Sequence, residues 1–223
     1  PFCPDFVKCS TEMASFVKTP FVMRMPSRRM KVTGGQSLGQ IYDPYFNRDV
    51  RHFCSHQYTP YETKPSGYDA AVISGNILYF AHPVFSLYRA TGAVVLQKYV
   101  GKALELFLGN ERQVIAENFP STARVTLMRQ PAQKRHVLHL LYANTILRGG
   151  DQELLNFQHP ATPTEVIEEL LPLQNVSLSV RVPGPVSSVT REPEGLPLPF
   201  QYEDGRVQFT IGEFTCHTMV VIR

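Results

Sequence analysis

The fold of the first half of the chain is decided between Asp69 and Asn110, which read DAAVISGNILYFAHPVFSLYRATGAVVLQKYVGKALELFLGN. Two apolar runs, AAVI and ILYFA, flank the pair Gly75-Asn76. Glycine supplies the positive φ that a two-residue turn needs, so this pattern predicts a β-hairpin. Because both runs are apolar at consecutive positions, and not at every second one, we expect strands that are covered on both faces.

A helix is predicted after the hairpin. Between about Val94 and Leu108, apolar residues recur at spacings of three and four, and the polar residues fall on the opposite side. A weaker helical pattern covers Val84 to Arg89, and Gly109-Asn110 supplies a stop. An isolated helix of this length is marginal in water, so its apolar face is expected to pack against the hairpin. That face consists of Leu96, Tyr99, Val100, Ala103, Leu104 and Phe107.

The second half of the chain alternates with a period of two, which is typical of antiparallel strands. The clearest run extends from Val176 to Val182. Asp204-Gly205 is a strong hairpin signal ahead of another alternating run. We therefore predict an α+β protein with a first domain over residues 1–112 and an antiparallel β-sandwich over residues 113–223. Further strands of the sandwich are expected at 123–128, 136–142, 207–211 and 214–222.

Bulk properties exclude several functional classes. The formal charge of +3 is spread along 223 residues, so we do not expect nucleic-acid binding. No apolar run approaches the roughly 20 residues that cross a bilayer. Because the chain starts at Pro1 without a signal-like segment, we expect a cytoplasmic piece of a longer protein. The scattered cysteines predict free thiols and not a disulfide framework or zinc knuckle; they are Cys3, Cys9, Cys54 and Cys216.

The region from Asp43 to Pro60 is the richest in chemically active side chains. If residues 51–57 are extended, His52, Cys54 and His56 share one face, because side chains alternate along a strand. Three interpretations stay open: a metal or thiol site, a histidine that reaches into a substrate pocket, or an aromatic loop whose histidines are hydrogen-bonded in an interface.

The spacing of His52, Cys54 and His56 along a strand argues against a metal site. Same-face neighbours on one strand lie about 7 Å apart, which is too far for three of them to close around one zinc ion. We therefore predict no metal and no cofactor. The candidate contacts to substrate or to an interface are His52, His56, Tyr58 and His82.

No catalytic residue is predicted. Glu168-Glu169 and the pair Glu192 and Glu194 are the only carboxylates whose spacing suggests a glycosidase pair. Neighbours in sequence rarely face each other across a cleft, and catalytic carboxylates normally come from separate elements. These glutamates are therefore not expected to carry a reaction.

A long ordered set of motifs resembles bacterial β-galactosidase-like glycoside hydrolases that carry a β-galactosidase trimerisation domain. The resemblance spans nearly the whole sequence and is moderately specific, because it depends on many loose motifs. These are Pro44–Arg48, His52–Gln57, Gly75–Pro83, Pro120–Ala123, His139–Leu141, the Ile167 to Leu173 run with Val176 to Val182, Asp204–Val207 and His217–Val221.

This resemblance implies an enzyme related to glycoside hydrolase family forty-two. Such an enzyme has a catalytic (β/α)₈ barrel, then a trimerisation domain of flavodoxin- or glutamine-amidotransferase-like α/β topology, then a small antiparallel domain. Residues 1–112 would be an incomplete copy of that α/β domain. No eightfold strand-helix repeat exists here, so the catalytic glutamates have no counterpart in this chain.

The leading hypothesis is a non-catalytic C-terminal region that supports assembly and lends the 43–60 loop to the cleft of the barrel. Its partners would be an upstream barrel of the same chain, copies of itself in a trimer, and the carbohydrate substrate. The alternative is a carbohydrate-binding sandwich, which needs a row of exposed aromatics drawn from Tyr142, Phe157, Phe200, Tyr202, Phe209 and Phe214. A third hypothesis is a metalloenzyme that uses His52, Cys54 and His56.

Overall fold

The computed structural model describes residues 4–149 and 163–223. The chain divides into two compact units, Pro1–Asn110 and Glu111–Arg223. The predicted boundary, after residue 112, lies two residues from this division, and the independence of each unit as a domain stays a prediction. In the described residues, antiparallel sheet predominates and no helix is long and apolar enough to cross a membrane.

The described part of the first unit holds one antiparallel sheet and two α-helices. The elements are β1 (Asp5–Cys9), β2 (Phe21–Met23), β3 (Gln36–Tyr42), β4 (Asp69–Ser74), β5 (Ile77–Phe80), α1 (Val84–Thr91) and α2 (Val94–Leu108). The sheet has the order β2-β1-β3-β4-β5. The predicted hairpin is confirmed, because Ser74 pairs with Ile77 across a turn in which Gly75 has a φ of +54°. The predicted helices are confirmed as well.

The expectation that both hairpin strands are covered on two faces is wrong for β5. In β4, Ala70 and Ala71 are consecutive and both fully buried, as expected. In β5, burial alternates, and Ile77 is 63% exposed. The reason is position: β4 lies between β3 and β5, whereas β5 ends the sheet within the described residues. The all-apolar sequence of β5 therefore leaves side chains on the surface.

The first unit does not show the expected flavodoxin- or glutamine-amidotransferase-like α/β topology. Such domains are built on parallel strands, whereas every pairing in this sheet is antiparallel. A parallel pair needs a long crossover connection, usually a helix. The segments that join β1, β2 and β3 contain no α-helix, which fits their antiparallel pairing.

Helix α2 supplies the centre of the first core. Its residues Leu96, Tyr99 and Ala103 are buried. The Tyr99 ring packs edge-to-face against Phe21 and Phe80, with ring centroids 5.6 and 5.5 Å apart. These contacts tie α2 to the sheet through aromatic pairs, each of which is worth about 0.5–1.5 kcal/mol beyond its buried area. The predicted packing of the helix against the hairpin is therefore confirmed.

The second unit is a β-sandwich in its described part, as predicted. The strands are β6 (Val114–Glu117), β7 (Arg124–Gln130), β8 (Arg135–Tyr142), β9 (Ile146–Arg148), β10 (Thr164–Val166), β11 (Leu173–Arg181), β12 (Val189–Glu192), β13 (Leu196–Pro197), β14 (Phe200–Glu203), β15 (Arg206–Phe214) and β16 (Cys216–Ile222). One sheet has the order β14-β15-β11-β6, the other has the order β13-β12-β16-β8-β7, and β9 pairs with β10. All of these pairings are antiparallel.

The sandwich core is formed by alternate residues of the two sheets. Strands β11 and β15 contribute the inner face of one sheet, and β8, β12 and β16 contribute that of the other. The predicted hairpin at Asp204-Gly205 is confirmed, since both residues have positive φ and join β14 to β15. The core contains Leu138, Leu140, Val176, Leu178, Val180, Val189, Val207, Phe209, Ile211, Phe214, Val220 and Ile222.

Candidate functional site

The 43–60 loop leaves the sheet between β3 and β4 and closes on itself at its base. Two backbone hydrogen bonds form that base: Glu62 N–H donates to the Asp43 carbonyl at 2.7 Å, and Tyr45 N–H donates to the Pro60 carbonyl at 2.9 Å. An isolated bridge between Pro44 and Tyr61 lies between them. Compact loops with adjacent ends often carry function.

Asp49 organises the tip of the loop. Its Oδ1 accepts hydrogen bonds from the backbone N–H groups of Arg51 and His52, both at 2.7 Å. These two bonds hold the pKa of the Asp49 carboxyl below its ordinary value. The His52 Nδ1 atom lies 3.4 Å from the same oxygen. The tip is therefore a tight turn of the type that aspartate favours, and not an extended strand.

Residues 51–57 consequently do not form the strand on which the shared face of His52, Cys54 and His56 depended. The Cys54 Sγ atom lies 3.5 Å from the backbone carbonyl oxygens of both His56 and Tyr58. No group of three histidine, cysteine or carboxylate side chains converges in the described parts of the chain. The thiol thus contacts backbone of its own loop.

A pocket of about 460 Å³ lies on this loop. It combines aromatic rings with a few polar groups, which is typical of small-molecule sites. Thr59 is one of the lining residues: it is buried, and its Oγ1 atom has no hydrogen-bond partner in the described residues. The lining residues are Pro4, Pro44, Phe46, Arg48, Asp49, Val50, Phe53, Gln57, Tyr58 and Thr59.

A charged network supports the base of the loop. Arg29 Nη2 donates to Asp5 Oδ1 at 3.0 Å and to Asp43 Oδ1 at 2.5 Å. Ser27 donates to Asp5 Oδ2 twice, from its N–H at 2.9 Å and from its Oγ at 2.5 Å. Because Asp43 begins the loop and Asp5 belongs to β1, Arg29 ties the loop to the sheet.

Asp5 and His82 form the buried end of this network. Their side chains are 4% and 1% exposed, and His82 Nε2 lies 3.4 Å from Asp5 Oδ2, although the two are not aligned as a hydrogen bond. Burial alone would raise the pKa of the Asp5 carboxyl. His82, the two Ser27 donors and the Arg29 charge outweigh burial and hold that pKa below its ordinary value of 3.8. Asp5 is therefore a paired, ionised carboxylate at neutral pH.

The structure separates the four residues that the sequence selects. His52 and His56 are exposed on the loop, and Tyr58 is half-buried, lines the pocket and lies under the Arg24 guanidinium, whose carbon is 5.9 Å from the ring centroid. His82 lies apart from them in the buried network. The first three residues share one loop, whereas His82 supports its base through Asp5 and Arg29.

The chain is similar over its whole length to part of an α-L-fucosidase. That protein is α-L-fucosidase isoenzyme 2 from Paenibacillus thiaminolyticus, with 34% sequence identity and a TM-score of 0.88 over 100% of this chain. The match spans 32% of the fucosidase chain, about a third of its length. No family model matches the sequence, and no curated protein sequence matches it.

The similarity confirms the expected relation to a glycoside hydrolase. This similarity does not confirm the more specific relation to β-galactosidases and to a trimerisation domain, because the matching protein is described as a fucosidase. A cycloisomaltooligosaccharide glucanotransferase from a Paenibacillus species also matches 57% of this chain and 20% of its own, with 15% identity. Its TM-score of 0.26 is too low to support any inference.

Sequence reasoning missed the Asp5 network and the buried Thr59 hydroxyl. One signal for the network was available: Asp5 opens the strand-like run DFVKC, and an aspartate that such a strand buries is almost always paired. Its partners Ser27 and Arg29 lie more than 20 residues away, in a proline-rich stretch. No local pattern indicates that pairing.

Proposed function

We propose that this chain is a non-catalytic C-terminal region of an α-L-fucosidase-like glycoside hydrolase. It supports the assembly of the enzyme and presents the 43–60 loop to the cleft of an upstream catalytic barrel. The observation that carries the proposal is the similarity over the whole chain, at 34% identity, to about a third of an α-L-fucosidase.

The arrangement of carboxylates supports a role without bond cleavage. Glycosidases need two carboxyl groups about 5 to 10 Å apart across one cleft. The loop pocket is lined by one carboxylate, Asp49, and the groove on the four-stranded sheet by one, Glu117. Glu168 is held on the surface by Arg148, at 2.7 and 2.9 Å, and Glu192 accepts a hydrogen bond from its own strand.

The exposed apolar tip of the loop supports its presentation to a cleft. Val50 is 94% exposed and Phe53 is 72% exposed, although both are apolar. Apolar side chains clustered on a protruding loop mark a contact surface. His52 and His56 lie exposed beside them and Arg48 lines the pocket, so the tip offers hydrogen-bond donors that suit sugar hydroxyl groups.

A second apolar surface supports assembly into the proposed homo-trimer. The outward side of the edge strand β5 carries exposed Ile77 and Tyr79, and helix α1, which follows it, carries exposed Phe85 and Tyr88. Obligate interfaces are rich in aromatic and aliphatic side chains. Light scattering of the longer protein measures this directly: a trimer is expected, and a monomer would contradict the assembly role.

Activity assays test the main proposal. The chain alone is expected not to hydrolyse nitrophenyl α-L-fucoside or nitrophenyl β-D-galactoside, whereas the longer protein hydrolyses the fucoside. In the longer protein, Phe53→Ser is expected to lower kcat/KM by about 10-fold, as for the loss of one buried apolar contact. Glu168→Gln and Glu192→Gln are the matched controls and should leave turnover unchanged.

Two results would overturn parts of the proposal separately. Turnover by the chain alone that disappears in Glu168→Gln or Glu192→Gln would show that the chain is itself catalytic. A longer protein that prefers the galactoside would retain the support role and reject the fucosidase relation.

A second candidate function is carbohydrate binding by the sandwich. The row of exposed aromatics that the sequence hypothesis needs is not present in the described residues, because Phe209 and Phe214 are buried and Tyr142 and Phe200 are half-buried; Phe157 lies outside those residues. A groove of about 670 Å³ on the outer face of the four-stranded sheet nevertheless favours this function, since it is lined by Glu117, Ser177, Ser179, Gln201, Gln208 and Thr210.

Calorimetric titration separates the two candidates. If the sandwich binds carbohydrate, L-fucose or oligosaccharides will give a saturable heat that Gln208→Ala reduces, while Gln174→Ala, a change outside the groove, leaves it intact. A titration without heat would reject this candidate and leave the support role.

A further inference from the structure

Two histidines that are 78 residues apart meet on the outer face of the sandwich. His139 belongs to β8 and His217 to β16, which are adjacent strands. The His139 Nδ1 atom lies 3.2 Å from the His217 Nε2 atom, and the rings are stacked, with centroids 5.4 Å apart and planes inclined by 22°. The two imidazoles therefore already face each other through ring nitrogens.

Both rings point away from the sandwich core. Leu138 and Leu140, on either side of His139, are fully buried, and Thr218, directly after His217, is buried as well. Because side chains alternate between the two faces of a strand, the histidines lie on the opposite, accessible face. Water and ions can reach them without any movement of the core.

The spacing of the two nitrogens suits one shared metal ion. Two imidazole nitrogens at about 2.0–2.1 Å from a tetrahedral ion lie about 3.3 Å from each other. The observed 3.2 Å matches this distance, so the nitrogens do not have to move apart, and each ring has to turn until its lone pair points to the ion. In the metal-free pair, one ring N–H donates to the lone pair of the other ring, and an ion would replace that shared proton.

A third ligand is available on the same face. In the ladder of β8 and β16, Met219 is the residue directly opposite His139. Met219 is half-buried and lies between two buried residues, Thr218 and Val220, so it alternates onto the same side as His217. Imidazole suits copper among other transition metals, a thioether favours Cu⁺, and Cu²⁺ binds most tightly among the divalent first-row metals, so copper is the metal that this ligand set fits best.

We propose that His139 and His217 bind a copper ion, with Met219 as the third ligand. All three proposed ligands belong to the second unit. With three protein ligands, it leaves a coordination position open to water or to an external ligand.

Copper titration of the whole chain tests this site. One equivalent of Cu²⁺ is expected to give an electron paramagnetic resonance spectrum with coupling to two nitrogens. His139→Gln and His217→Gln are each expected to lose that spectrum and at least about 10-fold in affinity. His136→Gln is the matched control, because His136 lies on the same strand but not in the pair, and it should bind as the wild type does.

Two further measurements keep the proposal falsifiable if a variant does not fold. In the wild-type chain, Cu²⁺ should protect His139 and His217, but not His136, from modification by diethyl pyrocarbonate, as located by peptide mass. Met219→Leu should weaken Cu²⁺ binding and leave Zn²⁺ binding less affected. Equal modification of all three histidines, or unchanged spectra in both glutamine variants, would overturn the site; an unaffected Met219→Leu variant would overturn the third ligand.

Discussion

Replacement of Asp5 by asparagine is expected to destabilise the first unit strongly. The side chain is nearly completely buried and accepts three hydrogen bonds, two from Ser27 and one from Arg29. Asparagine keeps one oxygen acceptor but turns an NH₂ group toward these donors and removes the negative charge. Hydrogen bonds to a charged group are each worth about 1.5–3 kcal/mol, and breaking a buried ion pair costs about 3–5 kcal/mol.

The expected loss is therefore about 2–4 kcal/mol in the free energy of unfolding at pH 7. This loss is smaller than the full cost of breaking a buried ion pair, because Arg29 is partly exposed and keeps its bond to Asp43. Asp43→Asn is the matched control. It removes the other carboxylate that contacts Arg29, but that side chain is 43% exposed, so a loss of no more than about 1 kcal/mol is expected.

The difference in the free energy of unfolding between wild type and Asp5→Asn is expected to depend on pH, which identifies the Asp5 charge as the cause of that difference. The pKa of Asp5 is lower in the folded state than its ordinary value of 3.8. The ionised carboxylate therefore makes its full contribution to stability at pH values above the pKa of Asp5 in the unfolded chain. This contribution is lost as the pH falls through the lower pKa of Asp5 in the folded chain. The gap between wild type and Asp5→Asn should be constant from about pH 7 to pH 5 and should shrink below about pH 4.

Urea denaturation followed by circular dichroism at 222 nm measures these changes. Both α-helices of the described chain belong to the first unit, so this signal reports mainly on the unit that contains Asp5. The reasoning is refuted if Asp5→Asn costs less than about 1 kcal/mol at pH 7, or if its deficit persists unchanged at pH 3.

Three smaller changes test other features. Tyr99→Phe should be neutral or stabilise the fold by up to about 1 kcal/mol in the same urea assay, because the buried hydroxyl has no partner among the described residues; a clear loss would show that it has one. Gly35→Ala should lower the free energy of unfolding by about 1–3 kcal/mol, because φ at Gly35 is +103° and a Cβ there would overlap the Ile73 carbonyl oxygen. Gly34→Ala is the matched control and should change this free energy little, because the space around Gly34 is open. Burial raises the pKa of the Cys9 thiol to about 11, so iodoacetamide at pH 8 should label it slowly in the folded chain and quickly in urea, as checked by mass spectrometry.

The second half of the fold could be predicted because its signals are local. The alternation from Val176 to Val182 and the Asp204-Gly205 turn identify strands and a hairpin within a few residues, and the structure contains both. The helix from Val94 to Leu108 is equally local, since its apolar spacing and the stop at Gly109 lie within one segment.

The topology of the first sheet could not be predicted in the same way. It depends on β1 pairing with both β2 and β3, across connections that contain prolines and no α-helix. A run of apolar residues such as Ile77–Phe80 shows that a strand is present but does not show whether it lies in the middle or at the edge of a sheet.

The candidate site was predicted only as a region. Aromatic residues and histidines are concentrated between Asp43 and Pro60, and the structure has a pocket on that loop, whereas the role of the loop stays a prediction. The alternation of His52, Cys54 and His56 suggested a strand with the three side chains on one face. That expectation was wrong, because Asp49 accepts two backbone hydrogen bonds and turns the chain there. The His139 and His217 pair depends on the register of β8 against β16, which no local pattern encodes.

The position of β5 at the end of its sheet has a practical consequence for anyone who isolates this chain. In the described residues its outer backbone edge is open, and Ile77 and Tyr79 stand beside it on the surface. Such an edge pairs readily with a strand of another molecule, and the exposed apolar side chains beside it favour that pairing. The isolated chain is therefore prone to associate with itself as its concentration rises, and Ile77→Lys is the simplest change that would prevent this.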